Sequence, residues 1–527
     1  MDSKKIIPHT VYAPNLHLFA FHLWRGLTGE TDSLAPHPKQ LWERGDDILE
    51  TLGFTESLDI DGYPDNSPEP VGLEVNLNPK NRLHLTGTLP NSDLKITGNI
   101  YTHRLNDSYS LTVNLRRPES ENGNKTPEVD ISFWRNLNTE SLVFLPDFIK
   151  SSLGQTLLLT AFLPVHERTK KPEDLADLAH SCLAQVMPSR KVKRPPLHKM
   201  GELFGSPFFE FGGQVVDGNL EGEAQVQPHI IIFLFRDDLA SGKLVDAYRQ
   251  FINFLFRDDL ASGKLVDAYR QFINLFYYRN KVLSAYRETR TLYRKTYIAY
   301  TQLEHKVKSF KQELTQNETR LALTETQLED LKKVLKELAA LDLEYARLLR
   351  NYKHCRNTIS INTKNYQVTL TDIFDRLRKK GYDLQQQEMD VFREFSDRTS
   401  PYFQTRISDE LNYFVEGSSL ADKAIASIRG IVEIEQTQRD RTREQQNQKL
   451  QDEIQAWGVA IGTGAIIAST SGLMFEEPRI FPLPENGGGI SHPFAIALFA
   501  SVAGAIVGWS GTKFLIWLSR RKGFPFR

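Results

Sequence analysis

WGVAIGTGAIIASTSGLMF (457–475) and PFAIALFASVAGAIVGWSGT (493–512) decide how the rest of the chain is read. Both are free of charged residues over 19 and 20 positions, the length a helix needs to cross the hydrocarbon of a bilayer at about 1.5 Å per residue. The sequence therefore predicts two transmembrane helices. A buried core hairpin is the weaker alternative, because few soluble helices are apolar on every side. Lys513 can snorkel, and Arg520, Arg521 and Lys522 follow the second span. The connecting loop 476–492 carries Glu476, Glu477 and Glu485 against Arg479. By the positive-inside rule both termini are cytoplasmic and the loop is outside. The expected location is the plasma membrane, crossed twice.

Composition narrows the function classes. The chain of 527 residues holds 65 basic and 66 acidic side chains, which leaves no electrostatic surplus for a nucleic-acid partner. Its two cysteines, Cys182 and Cys355, form no CxxC or Cys/His spacing, as suits a reducing compartment. The opening MDSKKIIPHTVYAP has no apolar run to make a cleaved signal. No Walker A, HExxH or nucleophile elbow is present, so an enzyme is not expected.

The fold class read from the pattern is α+β: a β-rich N-terminal cytoplasmic domain, a long helical coiled-coil region and a C-terminal two-helix transmembrane hairpin. Residues 1–235 form the first domain. Strands are expected at 16–23, 71–77, 82–89, 93–105, 108–115, 129–134, 156–163 and 229–235, and helices at 39–52 and 172–187. His17 and His22 fall on opposite strand faces and read as ordinary strand residues. Asp59, Asp61 and Asp65 resemble the start of a calcium loop but lack its later ligands, so an Asx-type turn is the preferred reading. Arg190, Lys191, Lys193 and Arg194 precede a double proline and read as a solvated linker.

FLFRDDLASGKLVDAYRQFIN occupies 233–253 and recurs without change at 254–274. Identity over 21 residues points to a recent duplication or an assembly error, not to a solenoid of diverged units. Residues 236–274 are expected to be mainly helical, or else the second FLF loops out. Residues 275–418 read as a helical coiled-coil domain. In it Leu303, Val307, Phe310, Leu314, Asn317, Leu321, Thr324, Leu328, Leu331, Leu335 and Leu338 keep a/d spacing. NTISINTKNY (357–366) suggests a hairpin tip. Ser419 and Asp422 suggest a capping-box start for a stalk helix over 419–456, which leads into the hairpin and basic tail at 457–527.

Within the hairpin, Gly458 and Gly462 form one GxxxG and Gly504 and Gly508 another, a spacing that allows close helix packing and self-association in lipid. Thr463 and Thr470 share a face with Ile467 and Met474. They either face a pathway between several copies or bond back to their own helix.

A large α/β part, long helices, a stalk continuing into the first span, a short loop, a second span and a basic tail together resemble the CorA family of magnesium channels. The resemblance covers roughly the last 110 residues. In that family the first span lines a pentameric pore and ends in a Y-G-M-N motif, often followed by an aromatic and an acidic residue. Ser471, Gly472, Leu473, Met474, Phe475 and Glu476 stand in those places: Gly472, Phe475 and Glu476 match, whereas Ser471, Leu473 and Met474 depart. The asparagine oxygen is replaced by the thioether of Met474, a poor partner for a hydrated dication. The resemblance implies an oligomer that conducts or senses cations, with Gly472, Phe475, Glu476 and Glu477 at the mouth and Thr463, Thr470 and Met474 facing the pathway. A divalent cation is the one cofactor it suggests, and the metal is left unidentified. The competing expectation is a membrane-tethered scaffold or signalling or defence effector whose cytoplasmic domain binds a protein partner without transport.

Overall fold

A computed structural model describes residues 9–24, 37, 39–58, 60, 75–76, 83–105, 107–138, 140–188, 192–203, 205–216, 225–236, 266–317, 323–379, 386–471 and 493–522. Contacts divide the chain into two units, 1–306 with 340–421, and 307–339 with 422–527. The calcium-like aspartates at 59, 61 and 65, and Arg190 and Lys191, lie outside the described residues.

The first unit is built on a sheet. Its strands in chain order are β1 (Thr10–Leu23), β2 (Val75–Asn76), β3 (Leu83–Thr88), β4 (Lys95–Leu105), β5 (Ser108–Arg116), β6 (Ser120–Glu121), β7 (Asn124–Lys125), β8 (Val129–Asp130), β9 (Gly154–Phe162), β10 (Leu197–Leu203), β11 (Ser206–Gly212), β12 (Val215–Val216), β13 (Gln225–Val226) and β14 (His229–Phe235). The main sheet runs β10-β11-β14-β9-β1-β5-β4-β2, with β3 on β4 and β8 on β1. β6-β7 and β12-β13 are separate ribbons. Pairing is antiparallel except where β14 lies parallel to β9.

Alternation assigns the two faces of the sheet to two cores. Leu16, Leu18, Ala20, Leu111 and Val113 point to one side. There they meet four short helices: α1 (Gln40–Thr51), α2 (Phe133–Asn138), α3 (Pro146–Ile149) and α4 (Ala176–Val186), through Leu41, Ile48, Trp134, Ile149 and Leu183. Phe19, Phe21, Leu158 and Phe233 point to the other. Long helices cover that side: α5 (Val266–Asn317), α6 (Glu325–Lys379), α7 (Gln386–Glu394), a π turn at Phe395–Thr399, and α8 (Ser400–Ser471). α9 (Pro493–Lys522) closes the element order.

β1 is thus buried on both faces, and its histidines must be satisfied internally. Asn114 Nδ2 donates to Asn15 Oδ1 at 2.5 Å and lies 3.2 Å from His17 Nδ1. Burial first, and then the nearby Arg116 charge, push the His17 pKa down to about 3. His22 Nδ1 accepts the Ser152 backbone N–H at 3.1 Å. Both histidines are structural, as their strand positions suggest.

Four sequence expectations are corrected. Residues 129–134 leave the strand at Asp130 and turn into α2. Residues 357–366 are no hairpin tip but lie inside α6. There Thr358, Asn362 and Thr363 bond to carbonyls four residues back at 3.1, 2.7 and 2.7 Å, while Ile359 and Tyr366 enter the core. Residues 419–422 start no helix, because α8 runs through them from Ser400. Finally, the a/d run over 303–338 is not one helix: α5 ends at Asn317 and α6 begins at Glu325. The break is capped reciprocally. Thr324 N donates to Gln327 Oε1 at 2.9 Å, and Gln327 N donates to Thr324 Oγ1 at 3.3 Å. In the second unit the heptad positions Phe310, Leu328, Leu331 and Leu338 pack with Ile428 and Val432 of α8. Arg439 of α8 ties the break down by donating to Leu323 O at 2.9 Å. A pattern that reads as pairing between chains is satisfied inside one chain.

The duplication has a simple accommodation. The start of copy one, Phe233–Phe235, ends β14, and the end of copy two, Val266–Asn274, begins α5. Everything between, 237–265, lies outside the described residues. One copy would supply both the strand end and the helix start. Deleting 237–257, which restores a single FLFRDDLASGKLVDAYRQFIN, should leave helix content unchanged by circular dichroism and shift the thermal midpoint by no more than about 4 °C. A larger loss would mean that the second copy is structural.

Candidate functional site

The expected mouth residues Gly472, Phe475, Glu476 and Glu477, together with Met474, lie outside the described residues, and of Thr470 only the helical backbone is described. What is described is the pair of helices that flank them. Moving along α8 from Trp457 to Gly464, the partners on α9 run backwards. Trp457 faces Trp509 with centroids 6.4 Å apart. A Cβ on Gly508 would meet Thr463 Oγ1 at 2.9 Å, and one on Gly464 would meet Ser501 O at 3.2 Å. Ser501 Oγ donates to Gly464 O at 2.8 Å. The two helices are therefore antiparallel and in close contact through Gly464 and Gly508.

Thr463 sits in this contact, and its hydroxyl donates to Val459 O at 2.7 Å. That is the back-bonded arrangement, in which a polar side chain needs no water or second helix. Gly458 and Gly462 are placed differently from Gly508: a Cβ on either would meet nothing within 4 Å. On α9 the window Leu498–Leu518 is long and apolar enough to cross a membrane, and 6% of it is buried. Lys513 Nζ lies 4.6 Å from the centre of the Trp509 ring.

A second constellation, which the sequence reading did not find, lies in the sheet unit. β11 and β14 bring Glu210 and His229 side by side, and the first turns of α5 after the duplication add Arg279. His229 Nε2 and Glu210 Oε1 are 3.0 Å apart, and Arg279 Nη2 donates to the same Oε1 at 3.0 Å and to Gly213 O at 3.1 Å. His229 Nδ1 lies 2.9 Å from Thr156 Oγ1, which accepts from Asn280 Nδ2 at 3.2 Å. Glu210 sets the tautomer. The ionised Glu210 can only accept, so the imidazole N–H is at Nε2 and points to it, and Nδ1 accepts from the Thr156 hydroxyl.

Burial raises the Glu210 carboxyl, but the His229 hydrogen bond and the Arg279 charge outweigh it and bring it down to about 2. Burial and then Arg279 push His229 down to about 4. The pair is an ionised carboxylate beside a neutral imidazole. Gly213, at φ +71°, allows the close fit: a Cβ there would stand 2.5 Å from the His229 ring and 2.6 Å from Arg279 Nη2.

These residues form the polar end of a cavity of about 40 Å³, whose remaining walls include Phe208, Ile231, Phe276, Val391 and Phe392. Among the described residues Arg279 Nη1 has no hydrogen-bond partner, although its side chain is only 7% exposed. A buried donor left unmade costs about 1–3 kcal/mol. Phe395 of the π turn lies against the other side of the guanidinium, 5.1 Å from Cζ to ring centre. The sequence signal was present but faint: Glu210 and His229 are single polar residues inside FFEFGG and HIIIFLF, and Arg279 opens the polar RNK of LFYYRNKV. Among the described residues, no three His, Cys, Asp or Glu side chains come together as a metal-ion site.

No protein-family model and no curated protein matches the chain. Among solved structures it is similar to the complete structure of the CorA magnesium transporter from Methanocaldococcus jannaschii, at 10% identity over 70% of this chain and 92% of that chain, with a TM-score of 0.19. A likeness at that TM-score carries no argument about fold or function.

Two outcomes follow. His17 and His229 are held neutral while an unfolded histidine titrates near 6.5, so below that pH the unfolded chain binds more protons. Stability should then fall from pH 6.5 toward their folded values, by up to about 1.4 kcal/mol per pH unit for each histidine. Thermal midpoints at pH 7 and pH 5 should differ accordingly, and less so for His17→Gln; an equal midpoint at both pH values would contradict it. Replacing Gly508 with Leu should separate the helix pair, seen as loss of a disulfide engineered between Gly464→Cys and Ala505→Cys, whose Cβ positions lie 3.4 Å apart, while Gly458→Leu should leave it intact.

Proposed function

We propose that this chain is an integral membrane protein, anchored by the α8–α9 hairpin and self-associating, that conducts or senses cations in a CorA-like manner. The observation that supports it best is the α9 surface. Leu498, Phe499, Val502, Ile506, Val507, Phe514, Leu515 and Trp517 are all at least half exposed. Leaving them in water forgoes about 1.5–3 kcal/mol each, a sum on the order of the whole stability of a domain. Hydrocarbon removes that cost, and Trp457, Trp509 and Lys513 are residue types suited to a membrane interface.

Gly458 and Gly462 lie on a part of α8 that α9 leaves open, so a second copy can approach there closely. Self-association is required by this reading, since two helices cannot enclose a pathway. The sequence after Ser471 then supplies Gly472, Phe475, Glu476 and Glu477, and the two carboxylates concentrate cations at the entrance. Both termini and the sheet unit are cytoplasmic in this arrangement, which follows from the basic tail.

One observation favours the alternative of a tethered scaffold without transport. Thr463 is back-bonded to Val459 O and packs against Gly508, so its hydroxyl has a place within the single chain that calls for no ion. Cation uptake into liposomes containing the purified protein separates the two. The first reading expects flux that drops at least about tenfold in a Glu476→Ala, Glu477→Ala variant. Intact oligomers that pass no cation would remove it and leave the scaffold.

A further inference from the structure

The hairpin stays apolar for longer on α9 than on α8. The apolar window of α9 runs on to Leu518, about 14 Å of helix past Trp509, whereas α8 already carries Lys449, Asp452 and Glu453 just before Trp457. Continuing the antiparallel register from the Trp457–Trp509 pair, Asp452 stands at about the depth of Phe514 and Leu450 at about that of Ile516. At this level Leu450 and Ile454 of α8 and Phe514, Leu515 and Trp517 of α9 are all more than half exposed. The Phe514 and Trp517 rings stack with centroids 5.8 Å apart. The helical period decides which way this part of α8 faces. Ala460 and Gly464 meet α9, and Ala456 on the same row is likewise buried. Lys449 and Glu453 continue that row at three- and four-residue spacing, while Leu450 and Ile454 fall on the exposed row of Trp457 and Ile461. A stalk in water turns its apolar residues to the neighbouring helix and its charges outward. This segment does the reverse.

We propose that lipid of the cytoplasmic leaflet covers the hairpin below the tryptophan pair, with acyl chains against Leu450, Ile454, Phe514 and Trp517, so that α8 leaves the bilayer near Leu450 and not at Trp457. Length supports this placement. The window Leu498–Leu518 of α9 spans about 31 Å and residues 450–471 of α8 about 33 Å, both matching a hydrocarbon layer of about 30 Å. Counted from Trp457, α8 as far as Ser471 spans only about 22 Å. Glu453 stands at about the depth of Lys513, so the charges that enter the band do so with opposite signs at one level. Arg520, Arg521 and Lys522 follow the band directly and are the residue types that headgroup phosphates attract. A second copy is the competing cover, and two observations disfavour it. The exposed apolar surface belongs to both helices, whereas one approaching helix covers one side. Asp440, Arg443, Glu444 and Asn447 also give a paired stalk no apolar row to continue into. The inference rests on the membrane-anchor reading and moves its cytoplasmic edge; it is independent of conduction.

The test uses the full chain in liposomes, with a nitroxide placed in turn at Leu450→Cys, Phe514→Cys, Val502→Cys and Thr442→Cys. All four positions are exposed, so the cysteines replace no packing, and Cys182 and Cys355 are buried and left in place. Electron paramagnetic resonance compares collision with oxygen, which concentrates in lipid, against collision with a water-soluble nickel chelate. The expected result is that oxygen exceeds nickel at Leu450 and Phe514, as it does at Val502, and that the order reverses at Thr442. Nickel exceeding oxygen at Leu450 or Phe514, with Val502 in lipid, overturns the inference and leaves the anchor standing. Shielding of Leu450 or Phe514 from both reagents overturns it in favour of a second copy. Nickel exceeding oxygen at Val502 overturns the anchor reading and this inference with it. On the unlabelled chain, Trp517→Phe should lower the quenching of tryptophan fluorescence by lipids brominated on their acyl chains, and unchanged quenching would equally overturn the proposal.

Discussion

Strand β1 has no exposed face, and that constraint organises the sheet unit. A central strand between two helical layers must send apolar side chains both ways, and β1 does so with Leu16, Leu18 and Ala20 against the short helices and Phe19 and Phe21 against the long ones. Every polar residue on it must also find a partner inside the protein. Asn15, His17 and Asn114 bond to one another across β1 and β5, and Trp134 of α2 closes the group by donating from Nε1 to Asn15 O at 3.1 Å. The polar residues of β1 thus fix its register, because a slip by one position would turn His17 and Asn15 away from Asn114 and into the opposite core, among Leu and Ile side chains.

The same covering of both faces explains how much of the fold was legible. Strands whose alternation or β-branched run is strong, such as 83–88, 108–116 and 229–235, stand where their pattern places them. LHKMGEL and SPFFEFG do not read as a hairpin, since prolines and glycines interrupt them, yet they pair as β10 and β11. Tertiary contact decides there, as it does at 357–366. Asn362 and Thr363 look like turn residues in isolation, but a helix whose neighbours bury Ile359, Tyr366 and Leu370 needs those positions helical, and i−4 hydrogen bonds accommodate their polar groups.

Periodicity is equally blind to where a partner comes from. Heptad spacing over 303–338 records that one stripe of the helices is buried, and it says nothing of whether the facing helix belongs to another molecule or to the same chain. The reciprocal Thr324 and Gln327 bonds are what divide the run in two, and a Thr-x-x-Gln signature is short enough to be hidden among eleven regularly spaced positions. The Glu210 cavity was hidden for the opposite reason. Its members come from β10, β11, β14, α5, α6, α7 and the π turn, and its polar end joins Glu210, His229 and Arg279 from three separate stretches of sequence.

The hairpin carries the last step of the argument. Four small-residue positions were candidates for close helix packing, and their geometry separates those described. Gly508 takes Thr463 of the neighbouring helix, aided by Gly464 against Ser501, whereas Gly458 and Gly462 have open space where a side chain would project. Glycine in a helix interior costs about 1 kcal/mol relative to alanine, and inside one chain Gly458 and Gly462 return nothing for it. Glycines at Gly464 and Gly508 are explained by the hairpin itself. Those at Gly458 and Gly462 leave the backbone of α8 uncovered, with no atom within 4 Å of an added Cβ, the kind of surface that lets helices approach closely in hydrocarbon.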